Sequence, residues 1–351
     1  MLKRILQFQT KNYLGNKMKA LVLNSKEEGI VFNDNYPQPA AKTGEVRIKV
    51  LAAALNHRDV WITQGQYAGI KFPTILGSDG VGVVESVGEG VDSSWLGKTV
   101  VINPNNQWGD SQRHQSKQYH IMGLPKDGTL AEFVSVDADR IRLAPSHLTI
   151  EQAAALPLAG LTAYRALFGR AQLQAGEKVL ISGIGGGVAL FAMQFAIAAG
   201  AEVYVTSSSE EKIAKAVQLG AKAGVLYNQE GWQKAFVKTY GEVDVVIDSA
   251  CGSGFAALID VLGFGGRIAF YGGGQGAING LNPQKIFWKQ VSILGSTMGS
   301  DQQFVEMVDF VEKHQIRPIV DSIYALEDGV AAFKHMADGA QFGKIVVRTV
   351  A

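Results

Sequence analysis

Between residues 178 and 314, short apolar runs alternate with amphipathic stretches, and glycines stand at many of the boundaries. Runs of this length predict buried strands, and the stretches between them have the periodicity of helices. The predicted strands are Lys178–Ser182, Glu202–Thr206, Gly224–Leu226, Val243–Asp248, Arg267–Tyr271 and Ser292–Gly295. The predicted helices are Val188–Ala199, Glu210–Leu219 and segments near 230–239, 253–262 and 301–314. This alternation predicts an α/β fold with a doubly wound parallel sheet, which binds ligands at the carboxyl ends of its strands.

The first 148 residues have a different pattern, because no long helix separates their apolar runs. Short strands bounded by glycine, proline and asparagine are predicted at Lys19–Leu23, Glu45–Ala53, Gly80–Val87 and Thr99–Ile102. This pattern predicts a mostly β domain built as a partly open barrel. The C-terminal segment adds a helix at Leu326–Ala337 and a strand at Lys344–Arg348. No helix follows that strand to continue the doubly wound pattern, so we assign the segment to the barrel domain.

These patterns divide the chain into an N-terminal extension and two domains. The barrel domain takes residues 18–148 and 300–351, and the doubly wound domain takes residues 149–299. The cleft between two such domains is the expected active site. Residues 1–17 contain four basic residues and no acidic ones. They are either a short targeting peptide or residues upstream of a natural start at Met18.

Composition narrows the classes of function. The chain has 351 residues, a net charge of +1 and 47% hydrophobic residues, so two domains can each bury a core. The balanced charge gives no indication of a nucleic-acid partner, and no apolar run has the length of a membrane span. The single cysteine, Cys251, excludes an intramolecular disulfide and a cysteine-rich zinc site. We therefore expect a cytoplasmic protein without a membrane partner that acts on a small molecule.

The turn after the first predicted strand of the doubly wound domain is rich in glycine. Residues 182–189 read Ser-Gly-Ile-Gly-Gly-Gly-Val-Ala, which departs from a strict G-x-G-x-x-G pattern. Such glycines let the backbone approach a pyrophosphate, and the following helix N-terminus favours its negative charge. The alternative is a turn that only joins strand to helix. The glycine-rich turn follows the first of six predicted strands, and this position favours a Rossmann-type dinucleotide site. The predicted binding residues are Gly186, Gly187 and Val188.

The end of the second predicted strand indicates which dinucleotide binds. Enzymes that use NAD place an acidic residue there to bind the ribose 2′-hydroxyl. Here the strand ends in three serines, residues 207–209, and Lys212 follows. Hydroxyls and an ammonium suit a 2′-phosphate, so NADP(H) is favoured, with Ser207 and Lys212 as binding residues. The alternative is that Ser207 and Ser209 only cap the next helix, although capping and phosphate binding are compatible with each other.

Several segments in order carry a resemblance to a known family. They are Leu55–Asp59 followed by Gln64–Tyr67, then Leu76–Val84, Leu156–Ala163, the turn at 186–188 and Gly343–Val347. Over nearly all of residues 18–351 the chain resembles the medium-chain dehydrogenase/reductase superfamily. It looks most like the zinc-free branch, which includes NADPH:quinone oxidoreductases and 2-enoyl thioester reductases. The resemblance implies a GroES-like barrel domain, a Rossmann domain that binds NADP(H), and a homodimer.

The chain departs from the zinc-dependent members at the metal positions. Where those members carry a thiolate this chain has Asn56, and where they carry His-Glu it has Ser78 and Asp79. The segment that corresponds to their structural zinc lobe, Asn103–Gly123, has no cysteine. We therefore predict no metal site.

The predicted catalytic residues are Tyr67 and Asn56. A phenol can donate a proton to a developing enolate, and the resemblance assigns that part to Tyr67. The alternative is that Tyr67 only lines the pocket. Asn56 is expected to orient the nicotinamide or the substrate. The resemblance also implies contacts with the cofactor at Thr162, Tyr227, Gly272 and Lys344.

Three functions are compatible with these residues. The first is an NADPH-dependent reductase of quinones or activated alkenes. The second is a zinc-free alcohol or carbonyl oxidoreductase. The third is a cofactor-binding protein with little turnover that acts as a sensor or a structural protein.

Overall fold

The computed structural model describes residues 16–350. The predicted extension at residues 1–17 lies outside this range except for its last two positions. The strands are β1 (Lys17–Ser25), β2 (Gly29–Pro37), β3 (Glu45–Ala54), β4 (Thr74–Ile75), β5 (Asp79–Val87), β6 (Thr99–Ile102), β7 (Asn105–Asn106), β8 (His120–Ile121), β9 (Phe133–Asp137), β10 (Ile141–Leu143), β11 (Lys178–Ile181), β12 (Glu202–Ser207), β13 (Ala223–Leu226), β14 (Val243–Asp248), β15 (Leu262–Phe270), β16 (Ser292–Gly295), β17 (Val320–Ala325) and β18 (Lys344–Arg348).

Most of the helices follow the first 148 residues. They are α1 (His57–Thr63), α2 (Ile150–Ala155), α3 (Pro157–Tyr164), α4 (Gly187–Ala198), α5 (Glu210–Gln218), α6 (Trp232–Tyr240), α7 (Phe255–Asp260), α8 (Pro283–Lys289), α9 (Asp301–His314) and α10 (Gly329–Asp338). A π-helical segment at Arg165–Arg170 continues α3. Within residues 16–350, no helix has the length and apolar character needed to cross a membrane.

The barrel domain is built around β3, whose residues alternate between the core and the outside. The main sheet has the order β10-β6-β5-β3-β18-β17, β9 also pairs with β3, and β2-β1-β4 form a separate sheet. Gly82 of β5 faces β3 so closely that a Cβ would lie 2.3 Å from the Lys49 carbonyl oxygen. The C-terminal strand β18 pairs antiparallel with β3, opposite Ala52–Ala54. The prediction of a mostly β, partly open barrel is confirmed.

The other domain contains a six-stranded sheet in the order β13-β12-β11-β14-β15-β16, and every pair is parallel. In chain order within the sheet this is 3-2-1-4-5-6, the doubly wound Rossmann arrangement. The predicted α/β fold with a parallel Rossmann sheet is therefore confirmed. Strand order reverses between β11 and β14, so the ends of these two strands border the crevice in which such sheets bind ligands.

An apolar core joins the two domains. Ala52 and Val81 of the barrel belong to the same buried cluster as Leu161 and Phe195. Near this boundary, the Arg140 guanidinium donates two hydrogen bonds, of 2.6 and 3.0 Å, to the carboxylate of Asp301, the first residue of α9. The side-chain amides of Asn103 and Asn105 donate to the same carboxylate. The shared apolar core therefore holds the domains on either side of one cleft, and the Arg140–Asp301 contacts fix α9 within the barrel domain.

Candidate active site in the interdomain cleft

The cleft between the domains has a volume of about 500 Å³ and brings together most of the predicted site residues. The barrel domain contributes α1 and the loop after it to its wall. The Rossmann domain contributes the start of α4 and the loops after β14 and β15. The predicted residues that line it are Asn56, Tyr67, Thr162, Gly187, Val188, Gly272 and Lys344.

A buried polar network at the floor of the cleft joins β18 and β5 of the barrel sheet to the start of α3 in the Rossmann domain. The Lys344 Nζ donates to Asp79 Oδ2 at 2.9 Å, to Asn56 Oδ1 at 2.7 Å and to the Leu55 carbonyl oxygen at 2.8 Å. The Asn56 amide donates to the same Asp79 oxygen at 2.9 Å, and the other Asp79 oxygen accepts the backbone N–H of Leu158 at 2.7 Å. All three donors of the ammonium are used inside the protein. Lys344 therefore orients the Asn56 amide and the floor of the cleft.

The start of α1 explains why Asn56 has a defined position. Asn56 is the N-cap of this helix, and the Asp59 carboxylate accepts its backbone N–H at 2.8 Å. Asp59 is fully buried, and this desolvation raises its pKa from the ordinary value. Asp59 therefore fixes the local loop at the start of α1.

Arg58 is a cleft residue that sequence reasoning missed. Its Nη1 donates to Ser78 Oγ at 2.6 Å and to the Met122 carbonyl oxygen at 2.9 Å. Its Cζ lies 5.5 Å from the centre of the Tyr67 ring. Both partners of Nη1 come from distant parts of the chain, so only the folded structure shows that a cation stands beside the predicted proton donor.

His57 lies on the same wall and has an altered acidity. Desolvation lowers its pKa from the ordinary value, and the positive charge of Lys344 lowers it further. Its ring centre is 6.0 Å from that of Trp61. The imidazole therefore presents mainly its neutral form to the cleft at neutral pH.

The glycine-rich turn has the geometry that a pyrophosphate site needs. Gly183 and Gly185 have φ angles of +64° and +131°, which favour glycine. Gly186 is the N-cap of α4, without a side-chain cap, and a Cβ there would meet nothing within 4 Å. The first N–H groups of this 12-residue helix thus adjoin open space. The turn therefore fits the phosphates of a dinucleotide.

Ser207, Lys212 and Tyr227 lie beside the ends of β12 and β13 and outside the lining of the cleft. The Ser207 side chain is buried and accepts the backbone N–H of Ser209 at 3.2 Å. Ser209 caps α5 by accepting the Lys212 N–H, so the capping alternative is right for Ser209. The Lys212 ammonium donates to the Gln341 carbonyl oxygen at 3.0 Å. Contacts of these three residues with a 2′-phosphate stay a prediction.

Cys251 follows β14 and is buried. Its backbone N–H donates to Asp248 at 2.8 Å, and its thiol donates to the Gly272 carbonyl oxygen at 3.0 Å. Burial and the nearby Asp248 carboxylate raise the pKa of the thiol. These contacts favour a structural thiol rather than a redox one.

Comparison with known proteins places the chain in a family. Residues 42–146 match the family model described as alcohol dehydrogenase GroES-like domain, and residues 187–313 match the one described as zinc-binding dehydrogenase. A zinc-type alcohol dehydrogenase-like protein YogA of Leptosphaeria maculans is 36% identical, over 88% of this chain and 92% of that protein. The quinone oxidoreductase of Mus musculus is 30% identical, over 88% and 90%. A crystal structure of an NAD-dependent alcohol dehydrogenase is 34% identical, with a TM-score of 0.88 over 95% of this chain and 100% of that one.

The chain belongs to the medium-chain dehydrogenase/reductase superfamily. It is therefore an oxidoreductase of a nicotinamide-dependent family.

The zinc ion that some of these names imply does not fit the residues at this site. Within the described range, 16–350, no group of three or more His, Cys, Asp or Glu side chains is arranged to hold a metal ion. Asn56 offers an amide instead of a thiolate, and both Asp79 oxygens already accept hydrogen bonds from Lys344, Asn56 and Leu158. A zinc site needs deprotonated sulfur, nitrogen or oxygen ligands in a tetrahedral group. No step of the proposed reaction depends on a metal.

Proposed function

We propose that this protein is a zinc-independent, NADPH-dependent reductase that transfers hydride to a quinone or to an activated alkene. The observation that carries the proposal is the position of Tyr67 beside the Arg58 guanidinium, in the cleft that Gly187 and Gly272 also line. A proton donor and a cation at one site are what the reduction of a conjugated carbonyl compound needs. The name of the mouse relative supports the quinone as one acceptor.

Different residues would hold different parts of the cofactor. When bound, the cofactor supplies the hydride. The turn at Gly186, Gly187 and Val188 binds its pyrophosphate through the start of α4. Thr162, Gly272 and the Asn56 amide face its nicotinamide end, and Lys344 holds that amide in place. The adenosine end with its 2′-phosphate is assigned to Ser207, Lys212 and Tyr227.

Tyr67 is assigned the proton transfer. Its ring packs at the edge of the barrel core and lines the cleft, so its hydroxyl is the proton donor to an acceptor bound there. Tyr67→Phe is expected to lower kcat by about 100-fold and to leave the affinity for NADPH unchanged. Tyr36→Phe, which removes a hydroxyl outside the cleft, is the matched control. Unchanged turnover of Tyr67→Phe would remove the tyrosine from the mechanism.

A second candidate function is a zinc-free alcohol or carbonyl oxidoreductase. It is favoured by the names of the YogA-like relative and of the NAD-dependent alcohol dehydrogenase. Such an enzyme would reduce an aldehyde or ketone and leave a conjugated C=C bond intact.

One assay separates the candidates. NADPH absorbance is followed with a quinone, an enone, a crotonyl thioester and a simple aldehyde, with and without a metal chelator. We expect NADPH to be oxidised by the quinone, the enone and the crotonyl thioester, or by a subset of them. The chelator should not change the rate. Oxidation with the aldehyde alone favours the second candidate. Measurable NADPH binding without oxidation by any acceptor contradicts both enzymes. Light scattering tests the homodimer that we also propose.

A further inference from the structure

We propose that Arg58 binds the carbonyl oxygen of the acceptor and stabilises the negative charge that reduction places on it. This inference rests on the proposed function, because it names the residue that recognises the acceptor. In this proposal, the barrel side of the cleft supplies a fixed cation that stabilises an oxygen as it becomes anionic.

The first support is an unused donor on a buried cation. Arg58 is only 6% exposed and lines the cleft. Its Nη1 is bound to Ser78 and Met122, whereas neither Nε nor Nη2 has a hydrogen-bond partner among residues 16–350, and of these two atoms only Nη2 is accessible from the cleft. A guanidinium stays charged at every physiological pH, and a buried donor without a partner is costly. A ligand oxygen in the cleft would give Nη2 a hydrogen-bond partner and would compensate the charge of the guanidinium.

The second support is the balance of charge around the guanidinium. The nearest carboxylate, Asp59, has its Oδ1 3.9 Å from Arg58 Nη1, and its complete burial raises its pKa. The other buried carboxylate, Asp79, is paired with Lys344 at 2.9 Å. The Arg58 charge is therefore compensated only in part, and the surroundings favour an anion near it.

The third support is the position of Tyr67, whose ring centre lies 5.5 Å from the guanidinium carbon. In an enone, hydride adds to the β-carbon, and the C=C electron pair moves so that the carbonyl oxygen becomes an enolate oxygen. Arg58 holds that oxygen by a charge-assisted hydrogen bond. The Tyr67 hydroxyl gives its proton to the α-carbon, and a proton from solvent restores the phenol. The acceptor has then gained one hydride, which the bound cofactor would supply, and one proton.

Arg58 has a purely structural alternative, in which it only ties α1 to Ser78 and to the Met122 carbonyl. The two roles differ in one measurable respect. A structural arginine does not distinguish an anionic ligand from its neutral acid, whereas an oxygen-binding arginine prefers the anion.

The test uses p-nitrophenol, whose phenolate imitates an enolate oxygen and has a visible absorbance of its own. Its binding to the full protein saturated with NADPH, whose nicotinamide ring carries no charge, is titrated by absorbance over a range of pH. We expect the phenolate to bind more tightly than the phenol, so that the bound probe has a lower pKa than the free probe. Equal affinity for the two forms, or no saturable binding of either, would overturn the proposal. This titration needs only the wild-type protein, so it does not depend on whether a variant folds.

Three variants complete the test. Arg58→Gln is expected to weaken phenolate binding about 10-fold to 100-fold, because a charge-assisted hydrogen bond is lost. Arg58→Lys, which keeps the charge, should recover part of this loss. The control Arg142→Gln removes an exposed guanidinium from β10 and should bind like the wild type. Arg58→Gln that binds NADPH normally and phenolate as tightly as the wild type would overturn the proposal. A failure of the proposed function would show separately, as bound NADPH that no acceptor oxidises.

Discussion

Lys344 and Asp79 form an ion pair of 2.9 Å that is almost completely buried beside the glycine-rich turn. Lys344 begins the C-terminal strand β18 and Asp79 begins β5, so the pair joins residues that are 265 positions apart. A Cβ on Gly187 would lie 2.6 Å from Lys344 Cδ, which shows how closely the lysine stem supports the start of α4. The pair thus connects the floor of the cleft to the glycine-rich turn.

Lys344→Met tests this connection. It leaves the Asp79 carboxylate buried without its cation, so we expect the free energy of unfolding to fall by about 3–5 kcal/mol. Denaturation in urea measures the change. The matched control is Lys334→Met, which breaks an exposed pair with Asp338 in α10 and should not change stability measurably. A variant Lys344→Met as stable as the control would show that the pair has no structural role.

Gly186→Ala tests the position of the pyrophosphate. Gly186 has a φ of −72°, and a Cβ there would meet no protein atom within 4 Å, so the substitution should not affect stability. We expect the affinity for NADPH to fall by about 10-fold or more, because the methyl group would occupy the space of a phosphate. Gly254→Ala, at the N-cap of α7 and equally free of contacts, is the control. Wild-type affinity in Gly186→Ala would place the dinucleotide elsewhere.

Lys212→Met tests the preference for NADPH. The Lys212 ammonium lies next to the turn, with its Nζ 3.3 Å from the position of a Cβ on Gly185. If the ammonium binds the 2′-phosphate, its loss should weaken NADPH binding by about 10-fold and leave NADH binding nearly unchanged. Fluorescence titration with both cofactors measures the ratio. An equal loss for NADPH and NADH would assign Lys212 only to its contact with the Gln341 carbonyl.

The lowered pKa of His57 predicts that the free energy of unfolding depends on pH. Its pKa in the folded protein is lower than the ordinary value of 6.5, so below that pH the unfolded chain binds a proton that the folded chain resists. Because His57 is exposed at the cleft wall, solvent reduces this effect, and the wild type should lose only a small amount of stability relative to His57→Gln as the pH falls from about 7.5 to about 5.5. Urea denaturation at both pH values measures this difference. Parallel changes in the two proteins would contradict the predicted shift.

The doubly wound half of the fold was predictable because its strands are bounded by polar residues and glycine. Val243–Asp248 and Ser292–Gly295 were predicted with the limits that the structure shows. The helix α3 was not predicted, because almost every residue in it is buried and it has no polar face to produce a helical period. Strand β2 was also missed, since its half-buried residues do not alternate.

The candidate site was predictable where a short motif carries its chemistry. The turn at 186–188 and the residues Asn56 and Tyr67 line or adjoin the cleft as expected. Arg58 was not predicted, because its partners Ser78 and Met122 lie 20 and 64 positions away. The domain boundaries that we propose near residues 148 and 300 rest only on the pattern of apolar and polar residues along the chain.

The most direct test of the proposed reaction is the fate of a labelled hydride. NADPH carrying deuterium in the transferred position is mixed with the protein, a chelator and an enone that offers both a C=C and a C=O bond. The products are analysed by NMR. We predict a saturated ketone with one deuterium on the carbon β to the carbonyl. An allylic alcohol with deuterium on the former carbonyl carbon would contradict the proposed reaction.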